Sequence, residues 1–322
     1  MSDALVVLNN EALAQGGIGL DSNLFRVKPA TLEIVQRTSR QEGAEPGRFR
    51  NTSDNTHYDE MEWVLLSNPI IQRALYTKGE FSRDSKLCFS LDNVSPSNYA
   101  KEPQAPFCAT CPKGSWEPYR KTNDPKDMPT CKEYYHLFLA DRKTQMPYYF
   151  NVKGLSMSTT YKDRSLCTFK QGMQNVARLL AAVEANVKAE NKQIAKQNAE
   201  NDVASDAVNE PRRTPTPFKP RPNLFDVKFP VSVASQTNAQ GLSYVLVIGK
   251  PIYLNEEARK EFGNLYLDFA NRRAQGQVQT AEESEAVAEA NASITETPAS
   301  TEVAAVVGPI VGTVVPKSDI TI

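Results

Sequence analysis

Alternation between apolar and polar positions predicts β-strands in several parts of the chain. In KLCFSLD (86–92), Leu87, Phe89 and Leu91 alternate with more polar neighbours, which is typical of a strand with one buried face. Similar patterns predict strands in TLEIVQR (31–37), EWVLLSN (62–68), MPYYFNVKGLS (146–156) and FDVKFPVSV (225–233). SYVLVIGKP (243–251) is almost continuously apolar, so we expect a central strand there. KEYYHLFLA (132–140) suits either a strand or a short helix.

A helical period replaces this alternation in two later segments. From Thr168 to about Asn201, apolar residues recur at steps of three and four and share one helix face, namely Met173, Val176, Leu179, Leu180, Val183 and Val187. NEEARKEFGNLYLDFANRRA (255–274) predicts a second helix, with acids in its first turn and arginines in its last. Between them, PRRTPTPFKPRP (211–222) reads as a basic, proline-rich linker or extended arm.

The segment from Val94 to Thr130 has no regular period and contains seven prolines. Proline removes a backbone donor and fixes φ, so we expect neither a helix nor a central strand there. The segment nevertheless carries two cysteines and a tryptophan, and a third cysteine follows it directly; these residues are unusual in a disordered region. A loop stapled by a metal ion accounts for both properties.

Four of the five cysteines, Cys88, Cys108, Cys111 and Cys131, predict a structural zinc site. Their spacing is C-x19-C-x2-C-x19-C, and the central CxxC lets two thiolates face one ion. Three alternatives remain open: His136 replaces Cys88, which is then a core cysteine; the CxxC is a redox pair; or no metal binds. Cys167 lies outside the cluster and reads as a core thiol.

The sequence lacks the motifs of the common enzyme classes, so we expect a protein that is not an enzyme. It has no G-x-x-x-x-G-K-[ST] loop, no G-x-G-x-x-G fingerprint and no G-x-S-x-G elbow. The two histidines, His57 and His136, stand alone, and four thiolates would leave a zinc ion without an open position for catalysis.

Basic and aromatic residues are interleaved between 116 and 153, a composition that suits single-stranded nucleic acid. Cations neutralise phosphates, and flat rings stack on unpaired bases. The candidate contacts are Arg83, Lys86, Trp116, Tyr119, Arg120, Lys121, Tyr134, Tyr149 and Lys153. The alternative is that many of these aromatic rings pack in the core and the lysines only solvate the surface.

The charge is distributed unevenly although the net charge is only −1. Residues 101–170 hold twelve bases and seven acids, whereas the chain from Gln275 onward holds one base and seven acids. The acidic segment predicts a disordered tail that promotes solubility, competes for the basic surface or recruits replication or transcription proteins through Asp319–Ile322. No segment predicts a membrane span or a signal peptide, so we expect a cytoplasmic protein, in the host cell if viral.

The strand-rich body, with an insert that holds CxxC and two further cysteines, resembles the zinc-bearing OB-fold domain of the replication protein A large subunit. The basic body and acidic tail with an Asp-Ile tip also resemble phage and bacterial single-stranded DNA-binding proteins. The resemblance covers about residues 30–160 and the tail. It implies an α+β protein with an OB-like antiparallel β-barrel, a four-cysteine zinc-loop insertion, a long packing helix and a disordered acidic C-terminal tail.

The expected organisation is a weakly ordered arm (1–28), a body (29–273) with the zinc insertion at 88–131 and a flexible segment at about 190–222, and a disordered tail (274–322). The expected function is sequence-tolerant binding of single-stranded DNA in replication, recombination or phage transcription, with structural Zn²⁺ as cofactor. The alternatives are a zinc-stabilised interaction module that acts as an RNA polymerase cofactor, and a nucleic-acid enzyme whose site only folding assembles.

Overall fold

The computed structural model describes residues 29–39, 43–77, 85–157, 163–208, 214–238, 241–280, 283–284 and 287. Its strands are β1 (Ala30–Ile34), β2 (Phe49–Asn51), β3 (His57–Tyr58), β4 (Glu60–Leu65), β5 (Ile70–Tyr76), β6 (Lys86–Ser90), β7 (Lys132–Asp141), β8 (Pro147–Val152), β9 (Val227–Asn238), β10 (Gly241–Ile248) and β11 (Ile252–Tyr253). Its α-helices are α1 (Glu117–Thr122), α2 (Phe169–Val208) and α3 (Glu256–Ala274). The fold is therefore mixed α+β.

The strands form one curled, half-barrel sheet. Its order is β10-β9-β4-β7-β8-β1-β2-β3; β5 pairs with β6 and with the N-terminal half of β7, and β11 pairs with β9. Neighbouring strands are antiparallel except for β1 and β8, which run parallel over three residue pairs. The open question about residues 132–140 is answered, because this segment is the ten-residue strand β7.

An aromatic cluster fills the concave side of the sheet. Trp63 is fully buried, and its ring centroid lies 5.6 Å from Phe49, 4.9 Å from Phe150 and 6.3 Å from Phe229. These residues come from β4, β2, β8 and β9, so one cluster ties together strands that are distant in sequence. Helix α2 closes this core with Phe169 and with Val176, both buried.

The prediction of a central strand at 243–251 is wrong, because β10 lies at the edge of the sheet. Side chains and a loop cover its outer edge instead of a further strand. The Gln36 amide both donates to the Tyr244 carbonyl (2.9 Å) and accepts from the Tyr244 N–H (3.0 Å). The Leu246 N–H donates to Ser156 Oγ, and the Ile248 N–H donates to the Cys167 carbonyl. An edge strand covered in this way has the apolar composition of a central one.

Helix α2 extends well beyond the barrel, and the proline-rich arm (residues 214–222) runs back along it. The Asn191 amide accepts from the Lys219 N–H and donates to the Lys219 carbonyl, at 2.8 and 2.9 Å. Asn198 makes the same pair of bonds with Thr216, at 2.9 and 3.0 Å. The segment expected to be flexible at about 190–222 is thus helical to Val208 and then hydrogen-bonded from Thr216 to Lys219.

Helix α3 packs on the convex side of the sheet and is capped by Asn255, whose side chain accepts from the Ala258 N–H. Phe262 and Phe269 of α3 are buried with Val64 and Phe138 of the sheet. This second layer covers the outer face of β4 and β7.

The packed body continues past residue 273, where we expected the tail to begin. Val278 and Thr280 are buried, and Gln72 donates to the Thr280 hydroxyl at 3.3 Å. Thr280 and Glu283 form a reciprocal capping box, which fits the T-x-x-E pattern of a helix start. Residues 1–28 and 288–322, including the predicted disordered tail and its Asp319–Ile322 tip, lie outside the described residues.

One further difference concerns a helix. The proline-rich segment does contain a helix, the six-residue α1, because Pro118 occupies its first turn, where a missing N–H costs nothing. Among the helices of the described ranges, none has both the length and the apolar character that crossing a bilayer requires.

Candidate metal centre and nucleic-acid interface

The Cys-rich insert (residues 94–131) leaves the end of hairpin β5–β6 and returns at β7. Its CxxC forms a tight turn in which the Cys111 N–H donates to the Cys108 carbonyl. The Cys108 N–H donates to the Val94 carbonyl at 2.8 Å, and the Cys131 N–H donates to the Lys113 carbonyl at 2.9 Å. These bonds bring both ends of the insert to the CxxC turn.

All four cysteines of the predicted site line one small cavity. Its volume is about 20 Å³, which admits a single water-sized particle. Cys88 reaches it from β6 and Cys131 from the residue before β7, while Cys108 and Cys111 reach it from the turn. The C-x19-C-x2-C-x19-C spacing therefore corresponds to a real convergence of side chains.

The convergence stops short of a coordination shell. Within the ranges that the structure describes, no group of three or more His, Cys, Asp or Glu side chains meets the geometry of a metal site. Burial raises the pKa of the Cys131 thiol to about 12, and burial also raises the pKa of Cys88. Thiols in such surroundings are neutral unless a cation stabilises the thiolate.

Arg73, on β5, supplies a positive charge next to the cavity. Its guanidinium pairs with Glu133 and donates to the Asn93 side chain, and it lowers the pKa of Cys131 against the larger effect of burial. Gly114 leaves room for the Arg73 guanidinium, because a Cβ at this position would lie 2.5 Å from an Arg73 nitrogen. Sequence reasoning missed Arg73, since only the pairing of β5 with β7 brings it to the cysteines.

His136 does not line the cysteine cavity. It is fully buried on β7, its Nδ1 is hydrogen-bonded to the Tyr149 hydroxyl, and the two rings stack with centroids 5.7 Å apart. Burial lowers the pKa of His136 to about 4. The placement favours the four-cysteine set over the alternative with His136.

The exposed apolar surface is concentrated on the insert. Eleven large apolar side chains are exposed among the described residues, and five of them belong to this segment of 38 residues. These five are Val94, Tyr99, Phe107, Trp116 and Met128. Trp116 is 51% exposed and meets the half-buried Tyr119 edge-on, with ring centroids 5.9 Å apart.

The predicted nucleic-acid contacts separate into different places. Trp116, Tyr119, Arg120 and Lys121 lie on or beside α1 of the insert, where Lys121 pairs with Glu117 at 2.8 Å. Lys86 lies on β6 over the Phe89 ring, and Tyr134 is half-buried on β7. Tyr149 and Lys153 line a groove at the far end of β8. Arg83 lies outside the described residues.

No family model, no curated protein and no solved structure matches this chain.

Proposed function

We propose that this protein binds single-stranded DNA with little sequence preference, in replication, recombination or phage transcription, and that it is not an enzyme. The observation that carries the proposal is the concentration of exposed aromatic rings on the Cys-rich insert, together with lysine and arginine side chains. Single strands offer unstacked bases and closely spaced phosphates, which such a surface fits.

The strand order supports an OB-type assignment of the barrel. Strands β4, β7, β8, β9 and β10 follow the order five-four-one-two-three around the sheet, and α2 connects the third to the fourth. In OB folds the loop between the first two strands contacts oligonucleotides. The insert occupies that loop here. Two departures are that β1 intervenes between the third and fifth strands, and that α3 covers the convex face of β4 and β7.

A structural Zn²⁺ held by Cys88, Cys108, Cys111 and Cys131 is part of the proposal. The soft donor set, the shared cavity and the nearby Arg73 charge favour it, although the sulfurs do not form a complete shell. A bound zinc ion would cross-link the insert and keep the Trp116 surface in one shape. Arg73 would offset part of the negative charge of four thiolates.

In the proposed mechanism, arginine and lysine hold phosphates and aromatic rings stack on bases. Trp116 and Tyr119 provide the rings, and Arg120 and Lys121 provide the charges one turn away. The acidic C-terminal segment is proposed to recruit replication or transcription proteins.

The test is an anisotropy titration of labelled oligo-dT and of duplex DNA at about 50 and about 200 mM salt. We expect tight binding of the single strand, weaker binding of the duplex and a steep salt slope. Trp116→Ala should weaken oligo-dT binding by about 1–3 kcal/mol. Phe218→Ala is the matched control, because Phe218 is an exposed aromatic residue of the arm. Absence of binding at low salt would refute the proposal.

The zinc part has its own measurement. Purified protein should contain one zinc per chain, and Cys108→Ser with Cys111→Ser should lose it and become sensitive to protease within the insert. The zinc proposal would be contradicted if the purified protein contained no metal and the insert of the serine variant resisted protease as well as that of the wild type. The DNA-binding proposal would still stand.

A second candidate function is a protein-interaction module that acts as a transcription or RNA polymerase cofactor. The near balance of charge on residues 94–131, five bases and four acids, favours it, because a surface that is apolar and nearly neutral suits a protein partner. The Trp116→Ala titration separates the two, since this module would bind oligonucleotides weakly and without dependence on Trp116.

A further inference from the structure

A groove opens where the parallel strands β1 and β8 separate. Their pairing ends at Leu32 and Phe150, and beyond this point β1 turns towards β10. The groove has a volume of about 720 Å³ and is bounded on its far side by Ser243 and Tyr244 of β10. The hydrogen-bonded pair of Gln36 and Tyr244 closes one end. This volume is in the range of pockets that hold small organic ligands.

The walls of the groove provide three kinds of contact. Tyr149 and Tyr244 contribute half-buried rings, and Lys153 contributes an exposed ammonium group. The side-chain carbonyl of Asn151 is buried and has no hydrogen-bond partner among the described residues. A buried acceptor without a donor is costly, so a ligand that brings an N–H to Asn151 gains this bond with little competition.

The charged side chains of the lining leave one cation for a ligand. Glu33, the acid in the lining, is paired with Arg50 at 2.6 Å and is therefore compensated. Lys153 is an exposed residue of the lining directly after β8, where its ammonium group can meet a phosphate.

We infer that this groove binds one nucleotide of the DNA strand, and that Asn151 accepts a hydrogen bond from the exocyclic amino group of its base. The ring of the base lies against Tyr149 or Tyr244, and Lys153 binds the phosphate of the nucleotide. Cytosine and adenine carry such an amino group and thymine does not. The inference rests on the proposed function and adds a base preference and a second contact surface apart from the insert.

The experiment compares labelled dC12, dA12 and dT12 with the wild-type chain, Asn151→Leu and the control Asn264→Leu. Asn264 is an exposed residue of α3 that does not line the groove. The wild type should prefer dC12 and dA12 to dT12. Asn151→Leu should weaken binding of dC12 and dA12 by about three- to tenfold and leave dT12 within about twofold. The control should change nothing.

A second variant protects the test if Asn151→Leu fails to fold. Ser243→Phe fills the groove from the opposite wall and should weaken binding of all three oligonucleotides, with the larger loss for dC12 and dA12, because thymidine loses only the ring and phosphate contacts. Equal weakening of all three oligonucleotides by Asn151→Leu, or no change in binding with Ser243→Phe, would overturn the inference.

Failure of the parent proposal is recognised separately. If the wild type binds no oligonucleotide, single-stranded DNA binding is refuted. Titration with dCMP then tests whether the groove binds a nucleotide at all. Saturable binding of dCMP that Asn151→Leu abolishes would retain a nucleotide site, whereas no binding at millimolar dCMP would remove it.

Discussion

The two tryptophans of the chain lie in opposite surroundings, and their contrast distinguishes the barrel from the Cys-rich insert. Trp63 is fully buried among the rings of Phe49, Phe150 and Phe229, whereas Trp116 is half exposed and contacts Tyr119. The half-barrel is held by burial of apolar area, whereas the insert is held by backbone hydrogen bonds and its four thiols line one small cavity. Stability is therefore mainly a property of the half-barrel, and most of the exposed aromatic side chains of the described residues belong to the insert.

The largest expected effect uses the two tryptophans directly. Trp63→Ala removes the centre of the core cluster and should lower the free energy of unfolding by about 3–5 kcal/mol. Trp116→Ala removes an exposed ring and should change it by less than about 0.5 kcal/mol. Urea denaturation followed by far-UV circular dichroism measures both values. If both variants lost a comparable free energy of unfolding, stability would not be confined to the half-barrel.

His136 provides the next effect and belongs to the barrel. Burial holds its pKa at about 4, below the ordinary value near 6.5, so the unfolded chain binds this proton first as the pH falls. Above pH 6.5 protonation of His136 does not change the free energy of unfolding. Between pH 6.5 and 4 it lowers the free energy of unfolding by about 3 kcal/mol. Thermal melts of the wild type and His136→Gln across this window measure the difference.

The control for that experiment is His57→Gln, which removes the only other imidazole of the chain. If His136→Gln keeps the full loss of stability between pH 6.5 and 4, groups other than His136 cause the acid sensitivity.

The smallest effect concerns the arm, which, like the insert, is held without a core of its own. Asn191→Ala with Asn198→Ala removes four hydrogen bonds to backbone groups, each of which contributes about 1 kcal/mol at most when exposed. The amides of Thr216 and Lys219 should then lose their protection from hydrogen exchange, while the melting temperature of the barrel hardly changes. Asn201→Ala, an exposed site on the same helix, is the control. Unchanged protection would mean that ion pairs such as Lys219 with Glu190 hold the arm.

The sequence allowed prediction of the parts that local pattern determines. Six strands and both long helices were expected near their observed positions, because their apolar periods are regular. Strand β5 was missed because Gln72 and Arg73 interrupt its apolar run, and only pairing with β7 makes it a strand. The edge position of β10 depends on Gln36, some two hundred residues away, which no local pattern reveals.

The candidate site divides in the same way. Spacing was enough to group the four cysteines, since a CxxC pair flanked by two further cysteines is a pattern typical of zinc ligands. The positions of Arg73 and Asn151 follow from strand pairing and from the separation of β1 from β8, so the sequence alone did not point to them. The T-x-x-E pattern at Thr280 was a readable signal for the ordered start of the acidic segment, and it was overlooked.

The covered edge of β10 has a consequence for the behaviour of the protein in concentrated solution. Its outward amides at Tyr244, Leu246 and Ile248 already donate within the same molecule. A strand from a neighbouring copy would have to displace these bonds before it could dock there. The glutamine that ties the segment after β1 to the edge strand β10 thereby also protects the chain against growth into fibrils from this side.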